Sequence, residues 1–121
     1  MNVNNTNVTM GVFEGDSLRA TWRFATDVRK TGDEYGVLMS DLLAHGGVSP
    51  DGVDSAVIGC VVPDLEPVFE GVCKRYFEVK PLVVGTGGYA ELIARETDAI
   101  DAVDMDLALK GLRLIFEMNR G

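Results

Sequence analysis

From Leu18 to Phe24 the chain alternates without a break, with Leu18, Ala20, Trp22 and Phe24 set against Arg19, Thr21 and Arg23. A period of two cannot be buried by a helix; it demands a strand with one covered face. Asn7 to Phe13 alternates in the same way, with Val8, Met10 and Val12 on one side and Thr9, Gly11 and Phe13 on the other. Glu14-Gly15-Asp16 between the two segments is turn chemistry, so the pair reads as an antiparallel hairpin. A hairpin alone is marginal in water, and this one must join a larger sheet packed against another layer.

The remaining chain supplies that layer. Thr31 followed by Glu34 is a capping box, and the helix it opens carries Tyr35, Leu38, Met39, Leu42 and Leu43 before Gly46-Gly47 stops it. Ala56 to Val62 is continuously apolar, the pattern of an interior strand covered on both faces, and Pro63 ends it. Asp64 can cap a second helix with Leu65, Val68, Phe69, Val72 and Tyr76 on its apolar side. Leu82-Val83-Val84 is a short strand, and Thr86-Gly87-Gly88 turns it into a helix containing Leu92 and Ile93. A last helix sets Leu109, Leu112 and Phe116 on one stripe and Lys110, Arg113, Glu117 and Arg120 on another. The expected order is hairpin, helix, strand, helix, strand, helix, helix: an α/β fold with a mixed sheet covered by helices.

Composition narrows the functional classes. At 121 residues with 46% apolar and 25% charged residues, the chain suits one globular domain with a real core. Its net charge of −8 argues against nonspecific binding to nucleic acid or anionic lipid. The longest apolar run, Ala56 to Val62, is far short of the roughly 20 residues that span a bilayer. No basic segment followed by an apolar one opens the chain, so a secretory signal is not expected. Cys60 and Cys73 are too few for a disulfide framework or a zinc site and read as core thiols. A cytoplasmic protein with no membrane or nucleic-acid partner is the expectation.

Few residues suggest chemistry. Asn2-Val3-Asn4-Asn5-Thr6-Asn7 is rich in small amides and hydroxyls just before a strand, a composition that can present donors to a phosphate. The plainer reading is a frayed polar terminus. Val83-Val84-Gly85-Thr86-Gly87-Gly88 is a strand entering a glycine turn, but it lacks the Lys-Ser/Thr pair of a P-loop. Asp98, Asp101, Asp104 and Asp106 fail the calcium-loop spacing and suit the start of the final helix. His45 falls in a last helical turn with no nucleophile elbow to serve. Arg19 and Arg23 face outward and could hold an anion, although solvated sheet-face charges are the default. No nucleophile–base constellation can be assembled.

Taken jointly, the segments resemble the type III pantothenate kinases. Asn2-Val3-Asn4-Asn5-Thr6-Asn7, then Gly11-Val12-Phe13-Glu14-Gly15-Asp16 and Trp22-Arg23, are similar to that family's opening Asp-Val-Gly-Asn-Thr, Gly-x-Phe hairpin and Trp-Arg strand. Thr31-Gly32-Asp33-Glu34-Tyr35 resembles its first helix, and Val61-Val62-Pro63 its Ser-Val-Val-Pro strand end. Thr86-Gly87-Gly88-Tyr89-Ala90-Glu91-Leu92-Ile93, Ile100-Asp101-Ala102-Val103-Asp104 and Leu109-Lys110-Gly111-Leu112-Arg113 resemble its carboxyl-terminal segment.

The resemblance implies a reduced ribonuclease-H-like domain of the actin-like kinase superfamily. Residues 1–85 correspond to the family's amino-terminal domain and 86–121 to its carboxyl-terminal segment. The implied activity is ATP-dependent phosphorylation of pantothenate to 4′-phosphopantothenate in coenzyme A biosynthesis, with Mg²⁺, a monovalent cation (K⁺ or NH₄⁺) and a homodimer. Asn2, Val3, Asn4, Asn5, Thr6, Asn7, Val8 and Thr9 align with the ATP-phosphate segment, and Gly87 and Gly88 with the adenosine turn. The pattern is broken in three ways. The family's central region, with the Gly-Ala-Asp-Arg motif that supplies base and pantothenate contacts and the Asp-Phe-Gly-Thr-Ala motif, has no counterpart between Gly85 and Thr86. The first hydrophobic strand has no counterpart before Asn2. Asn2 and Asn4 stand where the family has Asp and Gly. These departures imply a chain without kinase activity. The alternative is a noncatalytic remnant or engineered minimal domain that binds nucleotide or self-associates.

Overall fold

The computed structural model describes residues 1–84 and 105–119. Strand β1 (Asn2–Val3) leads through a tight turn into β2 (Asn7–Glu14), which pairs antiparallel with β3 (Ser17–Ala25). Helix α1 (Gly32–His45) follows, then β4 (Val57–Cys60), α2 (Glu66–Tyr76), β5 (Leu82–Val84) and α3 (Met105–Asn119). The five strands form one sheet in the order β3-β2-β1-β4-β5. β1 is antiparallel to β2 but parallel to β4, and β4 is parallel to β5. This is the mixed, helix-covered α/β sheet the sequence implies, in keeping with a reduced ribonuclease-H-like fold.

The hairpin forms as the alternation requires. Gly15 takes φ +64° in the turn, a left-handed value that glycine adopts freely. The register slips once, between Val12 and Phe13. The capping box at Thr31 and Glu34 is closed from both sides, and the helix stops at Gly46. One expectation fails locally: Asp64 does not cap α2. Pro63–Leu65 forms a 3-10 turn instead, and Leu65 occupies the cap position with no side-chain hydrogen bond. Proline at the start of that turn fixes the backbone before a capping geometry can form.

The larger correction concerns β1. The amino end is neither frayed nor without a strand. Asn2 and Val3 lie in the middle of the sheet, 1% and 0% exposed, and the Met1 nitrogen donates to the Val57 carbonyl at 2.8 Å. The Gly59 amide in turn donates to the Met1 carbonyl at 2.8 Å, and the Val61 amide to the Val3 carbonyl at 3.0 Å. Burial between β2 and β4 holds a strand too short to show any periodicity of its own.

The two faces of the sheet are covered differently. Val3, Val8, Met10, Ile58 and Cys60 pack with Tyr35, Met39 and Leu43 of α1 and Phe69, Val72 and Cys73 of α2 in one buried core. The Tyr35 ring sits 4.7 Å from that of Phe69 and 6.0 Å from that of Phe24, tilted on both. On the opposite face α3 lies against β2 and β4, with Leu109 and Leu112 buried. Leu109 closes on Gly11, where a Cβ would come within 2.7 Å of its methyl group. Arg113 fastens the helix to the hairpin, donating from Nε to the Gly15 carbonyl at 2.9 Å above the Phe13 ring. The region containing Gly87, Gly88, Leu92, Ile93, Asp98, Asp101 and Asp104 falls outside the described residues, as does Arg120.

Candidate functional site

The residues Asn2 to Thr9 are brought together where β1 ends, at the carboxyl end of the parallel strands. That is where open α/β sheets place their ligands. Asn4, Asn5 and Thr6 form the β1–β2 turn, closed by the Asn4 amide donating to the Asn7 carbonyl at 2.9 Å. Asn5 and Thr6 are exposed, and Asn7 Nδ2 donates to Thr6 Oγ1 at 3.2 Å. Small polar side chains on a fixed turn can donate to an anion at little entropic cost.

A clamp that the sequence did not disclose holds this turn. Thr26 Oγ1 donates to the Asn4 carbonyl at 2.7 Å, and the Thr26 amide to the Thr6 carbonyl at 3.0 Å. Asp27, next in the chain, exchanges two hydrogen bonds with the buried Tyr35 hydroxyl. Its amide donates to that oxygen at 2.8 Å, and the hydroxyl donates to its carbonyl at 2.7 Å. The turn is therefore tied through Thr26 and Asp27 to an aromatic ring in the main core. The signal was present but indirect: extending the hairpin register to Ala25 opposite Asn7 puts Thr26 beside the turn. Arg29 grips the Asp27 carboxylate through Nε at 3.1 Å and Nη2 at 3.3 Å, which holds its pKa below the usual aspartate value.

The paired strand residues between Asn2 and Thr9 divide by face. Val3 and Val8 are paired partners with no exposure and project into the α1–α2 core. Anything they give a ligand must come from their backbone. Asn2 and Thr9 are also paired, and they project to the α3 side. Thr9 is 4% exposed, and its Oγ1 is buried without a hydrogen-bond partner among the described residues. A buried hydroxyl left unpaired costs about 1–3 kcal/mol and marks a place where a ligand atom or water would be held.

The fit to the groups implied by the resemblance is uneven. The turn and the orphaned Thr9 hydroxyl suit phosphate oxygens. A divalent metal fits poorly: Asn2 is a neutral amide, and its neighbours across the strands, Thr9 and Gly59, bring no carboxylate. No group of three His, Cys, Asp or Glu that could hold a metal occurs among the described residues. Gly87 and Gly88, which the resemblance aligns with the adenosine turn, lie outside the described residues.

The other sequence candidates resolve as structural. His45 is exposed in the last turn of α1. Cys60 and Cys73 are free and buried; burial pushes the Cys73 thiol up to about 11, and Cys60 Sγ contacts the Val62 carbonyl at 3.0 Å. Arg19 pairs with Glu14 at 3.3 Å. A cavity of about 730 Å³ opens at the opposite end of the sheet, lined by Met1, Phe13, Met39, Leu109 and Phe116 among others. It contains none of the residues from Asn2 to Thr9, so cavity size and phosphate chemistry point to different ends of the molecule. The two ends differ in chemistry: the cavity mixes apolar side chains with Ser55, Arg113 and the carboxylates of Asp54 and Glu117, whereas the turn offers small polar side chains and no carboxylate between Asn2 and Thr9. A model of the type III pantothenate kinase family matches residues 1–113.

Proposed function

The chain belongs to the type III pantothenate kinase family, and we propose that it keeps the family's phosphate-holding segment without the parts that pass a phosphoryl group to pantothenate. The observation that carries this reading is the β1–β2 turn, fixed by Thr26 beside a buried, unpartnered Thr9 hydroxyl. ATP, when bound, supplies the transferable phosphoryl group. Asn5 and Thr6 would meet its phosphate chain at the surface, and the Thr9 hydroxyl would donate from within. Gly87 and Gly88 would receive the adenosine by analogy with the family.

Transfer needs more than this: an acceptor hydroxyl held in line and a base to take its proton. Neither Gly-Ala-Asp-Arg nor Asp-Phe-Gly-Thr-Ala occurs in the sequence, so the family's base, pantothenate contacts and cation ligand have no counterpart. The direct passage from Val84-Gly85 to Thr86-Gly87-Gly88 supports an internal deletion at a strand-to-glycine turn. A cytoplasmic location follows from the family's metabolic role. No helix among the described residues is long and apolar enough to cross a membrane.

The test is thermal unfolding with and without ATP, alongside an assay for 4′-phosphopantothenate. A transition that rises with ATP concentration is expected, by about 2.7 kcal/mol at a hundred times Kd, with no product formed. Product formation would refute the loss of transfer, and a transition indifferent to ATP would refute the retained site. A self-association role is the second reading, favoured by Leu114 and Met118, one turn apart on α3 and 58% and 82% exposed. Sedimentation showing a monomer at high concentration would eliminate it.

A further inference from the structure

We infer that this chain holds a polyphosphate without a divalent metal, with the Arg23 guanidinium supplying the positive charge; the inference rests on the phosphate reading above. Arg23, Thr9, Asn2 and Gly59 are successive partners across β3, β2, β1 and β4, and partners directly opposite project to one face of a sheet. The row therefore carries a guanidinium, a hydroxyl and an amide, with no carboxylate. Magnesium is held by carboxylates and phosphates, and a neutral amide is a weak substitute. An overall charge of −8 repels a polyphosphate, so a local cation is needed for it to bind at all.

Arg23 is placed to be that cation. Arg19, Arg29, Arg75 and Arg113 each pair with a carboxylate, at 3.3, 3.1, 3.3 and 3.8 Å. Among the described residues no carboxylate pairs with Arg23, which is exposed. Its Cα lies about 5 Å from that of Thr9 by strand geometry, beside the orphaned Oγ1. Ala25, opposite Asn7 at the turn, is two residues further on, about 7 Å along the strand. An extended arginine covers that distance, and its planar fork binds phosphate oxygens in pairs.

The experiment is titration calorimetry of the full chain with ATP and with inorganic tripolyphosphate, in EDTA and in Mg²⁺. Binding within about twofold in the two buffers is expected, and Arg23→Gln weakens it by about tenfold or more, the scale of one charge-assisted contact. Arg19→Gln, on the same strand but engaged by Glu14, leaves it unchanged. Asn2→Asp weakens binding in EDTA and restores it in Mg²⁺, because the added carboxylate both repels phosphate and coordinates metal. Wild-type binding that requires Mg²⁺ would overturn the inference while leaving the phosphate reading intact. Unaltered affinity in a folded Arg23→Gln variant would overturn it as well. No binding in either buffer would overturn both.

Discussion

The two faces of the central sheet divide the work of the molecule. One buries Val3, Val8, Met10, Ile58 and Cys60 under α1 and α2, where the buried side-chain atom without a partner among the described residues is Glu66 Oε1 at the start of α2. The other carries Arg23, Thr9 and Asn2 in a row, with a buried hydroxyl that has no hydrogen-bond partner among the described residues. Both faces belong to the same strands, and successive residues serve opposite ends. The difference teaches that the larger part of the buried apolar core lies on the α1–α2 side. The α3 side carries the cost of the buried Thr9 hydroxyl, at the position we propose holds phosphate.

The largest effect comes from damaging the packed face. Phe69→Ala removes a fully buried ring packed at a tilt against Tyr35 and should cost about 3–5 kcal/mol. Chemical denaturation reads this as a lower midpoint. Because Tyr35 holds Asp27 and so the turn, phosphate binding should weaken with it. Binding that survived undiminished in the folded fraction would break the link between core and site.

A second break uses pH. Folding raises the Cys73 thiol from its ordinary 9.0 to about 11 through burial. The folded chain thus keeps a proton that the unfolded chain releases above pH 9. The contribution is fully present below pH 9 and lost as pH rises through 11, by up to about 3 kcal/mol from the linkage of proton binding to folding. Cys73→Ala should flatten that part of the stability profile.

Gly36→Ala sharpens the comparison within the packed side. Alanine favours a helix by about 1 kcal/mol over glycine, but a Cβ at Gly36 would run into the ring of Tyr76. That ring is anchored by its hydroxyl donating to Asp33 at 2.7 Å and has limited freedom to move. A net loss of about 1–3 kcal/mol is expected from overpacking. A rise in Tm would show that α1 and α2 are held less closely than described.

Much of this architecture was legible in the chain. The period of two from Leu18 to Phe24 and the Thr31–Glu34 box each impose a structure by local rules, and both elements form where those rules put them. What the sequence concealed depended on tertiary contact. β1 has two residues, too few for any period, and exists because β2 and β4 flank it. Asp64 carried the right side chain for a cap, yet Pro63 imposed a 3-10 turn first. For the site, Asn2 to Thr9 could be singled out by composition and resemblance. Which of them face the core, and which lie beside Arg23, follows only from strand register. Thr26 was overlooked because a clamp is defined by the backbone it reaches, not by its own neighbours in the chain.

The central claim, that the α3 side gives up stability to hold phosphate, is tested most directly by Thr9→Val. Valine keeps the volume and the strand preference while removing the unpaired hydroxyl. The variant should unfold at a higher temperature without ligand, with a gain of about 1 kcal/mol or more from relieving an unsatisfied buried group. Its ATP-induced shift should shrink or vanish. A variant that unfolded earlier than the wild type and still responded fully to ATP would contradict the account.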